Sequence, residues 1–183
     1  HNRKHFLNEL RERGMTMDII PGNHDTYYKN TNDLNSLKEC LGHYMNEIHI
    51  IMEPTVMEYG SLKIALLPWI CSENYDQSMN FIQECKADWL GAHLELGGFD
   101  MMRGVTNFHG MNHKIFEKFE LVLTGHYHCS SRKDNIWYLG SQMEFFWSDA
   151  GDPKYFHIVD TETREIEKVK NNYTLFEKIV YND

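Results

Sequence analysis

The sequence lacks any long apolar run. Its longest, Leu62 to Cys71, falls well short of the ~18 residues a membrane-spanning helix requires. No cleavable leader is visible either, because His1 to Arg13 is polar and charged. Positive charge is scarce: 18 Lys+Arg stand against 27 Asp+Glu, a formal net charge of −9. Such a chain is not built as a whole to neutralise phosphates, so a nucleic-acid partner requires a local basic patch, a metal or a second protein. Cysteine is sparse and scattered. Cys40, Cys71, Cys85 and Cys129 form no CxxC pair, which argues against a zinc ribbon or thioredoxin motif and for reduced thiols in a cytosolic setting. Proline (4 residues) and Gly/Ser linkers are also rare, so residues 1–183 read as one domain. A composition 42% hydrophobic and 13% aromatic supplies one sizeable core and excludes disorder.

Local pattern predicts helices over His1–Arg13, Asp33–Leu41, Asn74–Lys86 and His113–Phe119, with Gly14 and Gly42 as stops for the first two. Strands are predicted at Met15–Ile20, His49–Met52, Leu62–Leu67, Trp89–Leu94 and Glu120–Thr124, and a turn at Tyr59-Gly60-Ser61 follows Val56-Met57. From about residue 135 the pattern becomes a β-rich tail: Ile136–Leu139, Tyr155–Val159, Arg164–Val169 and Leu175–Tyr181. Alternating helices and strands followed by that tail imply a layered α/β domain.

Three polar loops follow predicted strands, at Gly22 to Asp25, at His93 and at Gly125 to His128. In open α/β sheets ligands gather at the carboxyl ends of strands, so these loops are placed to converge. Taken alone, Gly22-Asn23-His24-Asp25 is also a turn sequence. Its functional reading gives Asn23 an amide oxygen for a metal, sets His24 beside the reacting group and uses Asp25 to orient the imidazole. Gly125-His126-Tyr127-His128 places two imidazoles at i and i+2, pointing different ways, which suits two neighbouring ions better than chelation of one. Taken alone, these are equally a pair of surface loop histidines. His93 by itself carries little information, and the remaining histidines have no ligand-like context.

In combination, strand–GNHD, a strand-end His93 and strand–GHYH resemble the calcineurin-like metallophosphoesterase superfamily. Ala92-His93-Leu94-Glu95-Leu96, Gly98-Phe99-Asp100-Met101, Arg103-Gly104 and Tyr138-Leu139-Gly140-Ser141 extend the likeness to its SbcD-type nuclease branch, in particular the phage nuclease subunits. The resemblance implies a two-sheet sandwich flanked by helices (α/β/β/α). It implies two divalent ions, manganese best suiting the mixed N/O ligands, with Asn23, His93 and His126 on one metal and His128 on the other. His24 would stand next to the scissile phosphate, oriented by Asp25. The implied partners are DNA and an SbcC-type ATPase, in the cytoplasm (the host's, if phage-encoded), in double-strand-break repair or recombination.

Two elements of that family pattern are absent. No Asp-x-His motif occurs, and no Gly-Asp-x-x-Asp motif precedes Gly22, where Asp18 is the sole aspartate. Those carboxylates would bridge the metals and offset their repulsion. The expectation is therefore an N-terminally incomplete piece or half of a split enzyme, inactive or weak alone. The missing carboxylates would come from another segment, and uncovered apolar surface would favour association, a homodimer included. Arg103, Lys114, Lys118, Arg132 and Lys133 are candidate groove cations. The alternatives are a phosphoesterase acting on small or protein phosphoesters, and a non-catalytic scaffold.

Overall fold

The computed structural model describes residues 6–43 and 46–181. Along the chain lie α1 (Asn8–Glu12), β1 (Met17–Ile19), α2 (Ser36–Leu41), β2 (Ile48–Ile50), β3 (Thr55–Tyr59), β4 (Leu62–Leu67) and α3 (Tyr75–Glu84). There follow β5 (Trp89–His93), β6 (Asp100–Met102), β7 (Val105–Thr106), a 3-10 turn at His113–Phe116, β8 (Leu121–Gly125), β9 (Ser131–Lys133) and β10 (Ile136–Tyr138). A second 3-10 turn at Trp147–Asp149, then β11 (Lys154–Val159) and β12 (Ile166–Asn171), complete the described elements.

A six-stranded mixed sheet in the order β3-β4-β5-β8-β10-β9 organises the molecule. Its four central strands, β4, β5, β8 and β10, run parallel, while β3 and β9 pair antiparallel at the edges. Parallel neighbours need crossovers. Helix α3 bridges β4 and β5, and the segment with the His113–Phe116 turn bridges β5 and β8.

Side-chain alternation divides the sheet's faces into two cores. Ala65, Leu67, Leu90, Ala92, Val122, Ile136 and Tyr138 pack on one face with Ile82 of α3 and with Phe116 and Phe119. On the opposite face Leu62, Trp89, Leu121 and Trp137 pack with Val159 and Ile166 of the β11–β12 hairpin. The layers are thus helix, sheet and hairpin, an α/β architecture. Two further small sheets stand apart: the parallel pair β1–β2 and the hairpin β6–β7. Among the described residues no helix is long and apolar enough to cross a membrane.

The predicted elements that pack against the sheet recur within a few residues of their expected ends, and differences concentrate elsewhere. Of the His1–Arg13 helix, residues 1–5 lie outside the described region and Asn8–Glu12 is helical, stopped by Gly14 at φ +63°. The His113–Phe119 helix is a single 3-10 turn, because the Phe119 N–H bonds back to Phe116 O and the chain turns away. Leu175–Tyr181 is not a strand. The N–H groups of Leu175 and Phe176 donate instead to the buried Glu144 carboxylate (2.7 and 3.0 Å), which takes the place of a ladder partner. The glycine-rich loop after β5 holds the unpredicted β6–β7 hairpin, whose Gly104 turns at φ +75°.

Candidate metal centre

Because β5 and β8 are paired in register, His93 lies opposite Gly125, and the chain after each strand emerges at the same sheet edge. Residue 126 then adopts φ +93°, a left-handed conformation uncommon outside glycine and a store of roughly 1–3 kcal/mol of strain. The β1 loop is tied to the chain following β4 by Trp69 N–H donating to Pro21 O (2.9 Å). Trp69 O in turn accepts from Asn32 Nδ2 (2.7 Å) and Asn74 Nδ2 (3.0 Å). Three strand ends therefore meet.

At their junction the Asn23 side-chain oxygen lies 2.8 Å from His93 Nε2 and 3.2 Å from His126 Nδ1. The two imidazoles stand edge to face at 5.3 Å, and the Trp69 ring stacks on His126 at 5.5 Å. Gly22 makes this approach possible. A Cβ there would lie 2.8 Å from His93 Cε1 and 2.9 Å from Nδ1, and a Cβ on Gly125 would lie 3.0 Å from the same Nδ1. The His93 ring occupies the space of two absent side chains.

Burial pushes His93 down to about 4, helped by the nearby His126 and His24. Burial also lowers His126; Glu95, whose Oε2 is 4.0 Å from its Nε2, acts against that, while His24 and His128 reinforce it. Both rings are therefore neutral near pH 7, the form that can ligate a metal. Donor atoms bound at ~2.1 Å to one divalent ion stand about 3 Å apart, close to the two contacts made by Asn23 Oδ1. Asn23 Oδ1 thus stands at such a spacing from one nitrogen of each imidazole. No group of three or more His, Cys, Asp or Glu side chains among the described residues is placed to hold a metal; this set draws its third donor from an amide.

His128 is built differently. Its Nδ1 contacts the Asp149 carboxylate at 3.1 and 3.3 Å, which leaves Nε2 as the ring nitrogen that could meet a ligand. Asp149 and Lys154 are both buried, their charged ends 3.7 Å apart, and Lys154 Nζ also donates to His128 O at 3.0 Å. Burial alone would raise the Asp149 carboxyl. Hydrogen bonds from the main-chain N–H groups of Phe146 and Phe145 and from His128, with the Lys154 charge, outweigh it and hold the group below its usual range. A carboxylate gripping one ring nitrogen is the arrangement that orients a metal-ligating histidine.

The role expected for Asp25 is corrected by the structure. Its carboxylate accepts from Gly22 N–H (2.8 Å) and Ser36 Oγ (3.1 Å), and no hydrogen bond joins it to His24 among the described residues. The closeness of residue 25 to the Gly22 amide, which lies within the same turn, is why it closes the loop instead of reaching the ring. His24 is exposed beside the two half-buried imidazoles. Two candidate groove cations also prove to be engaged elsewhere. Lys118 donates to the carbonyls of Ile82, Gln83 and Cys85, and Arg103 pairs with Asp152. Asp18 is held by His49 Nδ1 (2.7 Å) and Tyr59 OH (2.5 Å) in the β1–β2 sheet.

Asp149, Lys154, Glu95 and Trp69 were not singled out from sequence as site residues. The first two lie 21 and 26 positions from His128 with no motif linking them. Glu95 and Trp69 carry only the signal of following strands that lead into the site.

The chain is similar to exonuclease subunit 1 of Enterobacteria phage T4. Identity is 32% over 178 residues, covering 97% of this chain and 52% of the relative, so the chain spans about half that protein's length. No family model matches the sequence.

Proposed function

We propose that the chain carries part of the catalytic centre of a DNA nuclease, hydrolysing phosphodiesters at a di-metal site built on a metallophosphoesterase sandwich. The observation that carries the reading is the convergence of His93 Nε2 and His126 Nδ1 on Asn23 Oδ1 at 2.8 and 3.2 Å. Likeness to an exonuclease subunit over nearly the whole chain supports it. Asn23, His93 and His126 hold one divalent ion, most suitably Mn2+. His128, oriented by Asp149, faces a second, whose anionic ligands come from another segment or polypeptide. The bound ions would supply an activated water and offset charge on the attacking and leaving oxygens. His24, exposed beside the two neutral imidazoles, meets the scissile phosphate, while Asp25 holds the loop that presents it. An SbcC-type ATPase and a basic partner surface compensate for the net charge of −9, and the setting is the cytoplasm.

Titration calorimetry with Mn2+ tests the centre. Asn23→Ala, His93→Ala and His126→Ala should each weaken binding by about tenfold or more, as loss of a ligand or its support does. Wild-type affinity in all three would refute the assignment. With the carboxylate-bearing segment supplied, linear duplex DNA should be cut, and His24→Ala should abolish turnover while the metal stays bound. The acidic balance favours a second reading, a phosphoesterase for small or protein phosphoesters. Preference for cyclic nucleotides or phosphoprotein over duplex DNA would select it.

A further inference from the structure

Beside His128 the chain makes an expensive surface choice: Phe145, Phe146 and Trp147 follow one another with exposures of 55%, 58% and 56%. Three large rings in water need a reason, and a floppy loop is not the one. The segment is pinned at both ends by buried carboxylates. Glu144, 2% exposed, accepts from the N–H groups of Gly151 (3.0 Å), Leu175 (2.7 Å) and Phe176 (3.0 Å). Asp149, 3% exposed, accepts from those of Phe145 (2.8 Å) and Phe146 (3.0 Å) while gripping His128. The backbone is thereby fixed with its rings outward. The Phe146 ring lies parallel to the His128 imidazole, 4° between planes and 5.3 Å between centroids, and Phe145 stands at 5.7 Å. Trp147 is braced edge-on by Phe176 at 5.6 Å. The ridge is therefore continuous with the candidate centre.

We infer that Phe145, Phe146 and Trp147 form a stacking platform for unpaired bases of a DNA strand whose backbone passes His128. This rests on the nuclease reading and adds to it the form of the substrate: single-stranded or frayed DNA next to the cleaved bond. Every base has a π face, so rigid exposed rings accept bases without regard to sequence. The net charge of −9 opposes the phosphate backbone, so on this chain the base faces and not the phosphates must supply the affinity.

The test uses the 183-residue chain and two short single strands of equal length, an oligothymidylate and its abasic counterpart. Of the four tryptophans Trp147 is the exposed one, so its fluorescence reports stacking directly. The oligothymidylate should quench it and the abasic strand should not. Trp147→Phe should remove the quenching and, because it keeps an aromatic face, weaken binding measured by anisotropy less than Trp147→Leu does. Phe145→Leu and Phe146→Leu, which keep apolar bulk at exposed positions, should each weaken binding between about fivefold and a hundredfold. Equal binding of the abasic strand, or unchanged affinity in the leucine variants, overturns the proposal. So does a change confined to self-association in sedimentation, which would make the ridge a contact between copies. Mn2+ calorimetry on the same samples separates the two readings: base-dependent quenching without metal binding leaves the platform standing and removes the nuclease.

Discussion

Replacing Gly22 by alanine is the sharpest probe of how the candidate centre is packed. The backbone there lies outside the left-handed region, so an alanine introduces no torsional strain and the effect isolates one steric contact. The new Cβ would sit 2.8 Å from His93 Cε1, and ordinary contact requires the ring to withdraw by about 0.7 Å. Little room exists for that. Trp69 and His126 stand edge-on at 5.9 and 5.3 Å, and the ring already lies tight over Gly125. A shift of that size stretches the 2.8 Å contact to Asn23 Oδ1 to about 3.5 Å, past the range of a useful hydrogen bond. Overpacking costs about 1–3 kcal/mol and the lost hydrogen bond about 1. A stiffer unfolded chain returns roughly 0.4–1 kcal/mol. The net loss should be about 2 kcal/mol in urea unfolding of the metal-free chain. In a His93→Ala background the clash has no target, and the same change should be neutral or slightly stabilising. The double-mutant cycle should therefore show a coupling of at least about 1.5 kcal/mol. An equal cost in both backgrounds would refute the packing argument.

Three further outcomes are expected. Asp149→Asn removes the charge facing buried Lys154 and turns one of the two acceptor oxygens near His128 into a donor, so unfolding midpoints should fall by the equivalent of about 3 kcal/mol; an unchanged midpoint would mean the triad is not an ion pair. Tyr138→Phe strips a fully buried hydroxyl that donates to Leu94 O (2.9 Å) and accepts from Leu96 N–H (3.0 Å). Both main-chain groups lose a partner, and denaturant unfolding should register about 1–3 kcal/mol. Burial, and then the Asp152 carboxylate that accepts its S–H at 3.2 Å, push the Cys129 thiol up to about 11. The folded protein then holds a proton that the unfolded chain releases near 9, so this contribution to stability is complete below pH 9 and lost as pH rises toward 11. Iodoacetamide at pH 8 should modify exposed Cys40 well before Cys129; Asp152→Asn should narrow the gap, and equal rates in the unaltered chain would contradict the assignment.

Short-range pattern made much of this molecule legible. Alternation in Leu62–Leu67 and the apolar run Leu121–Leu123 are set by which residues face each core, a property of neighbours two apart, and Gly14 ends its helix through its own backbone freedom. The order of strands and polar loops pointed to one meeting place for the loops of Asn23, His93 and His126, and the family resemblance grouped the three residues. Sequence could not foretell that Leu175–Tyr181 would surrender its N–H groups to Glu144, or that Asp149 would grip His128 from 21 residues away, since no local signal encodes a distant partner. It also gave Asp25 the wrong neighbour, because the competition between the His24 ring and the Gly22 amide is settled by how the loop closes.

The amino-acid order by itself determined which chemistry is present: imidazoles and an amide after apolar strands, few cations, and no paired cysteines. Tertiary structure alone decided where that chemistry meets. The register of β5 against β8 sets His93 opposite Gly125, and the bare Cα of Gly22 lets the ring close on Asn23. Periodicity acts over a few residues, whereas this cluster of side chains is assembled by packing between segments 70 and 103 positions apart.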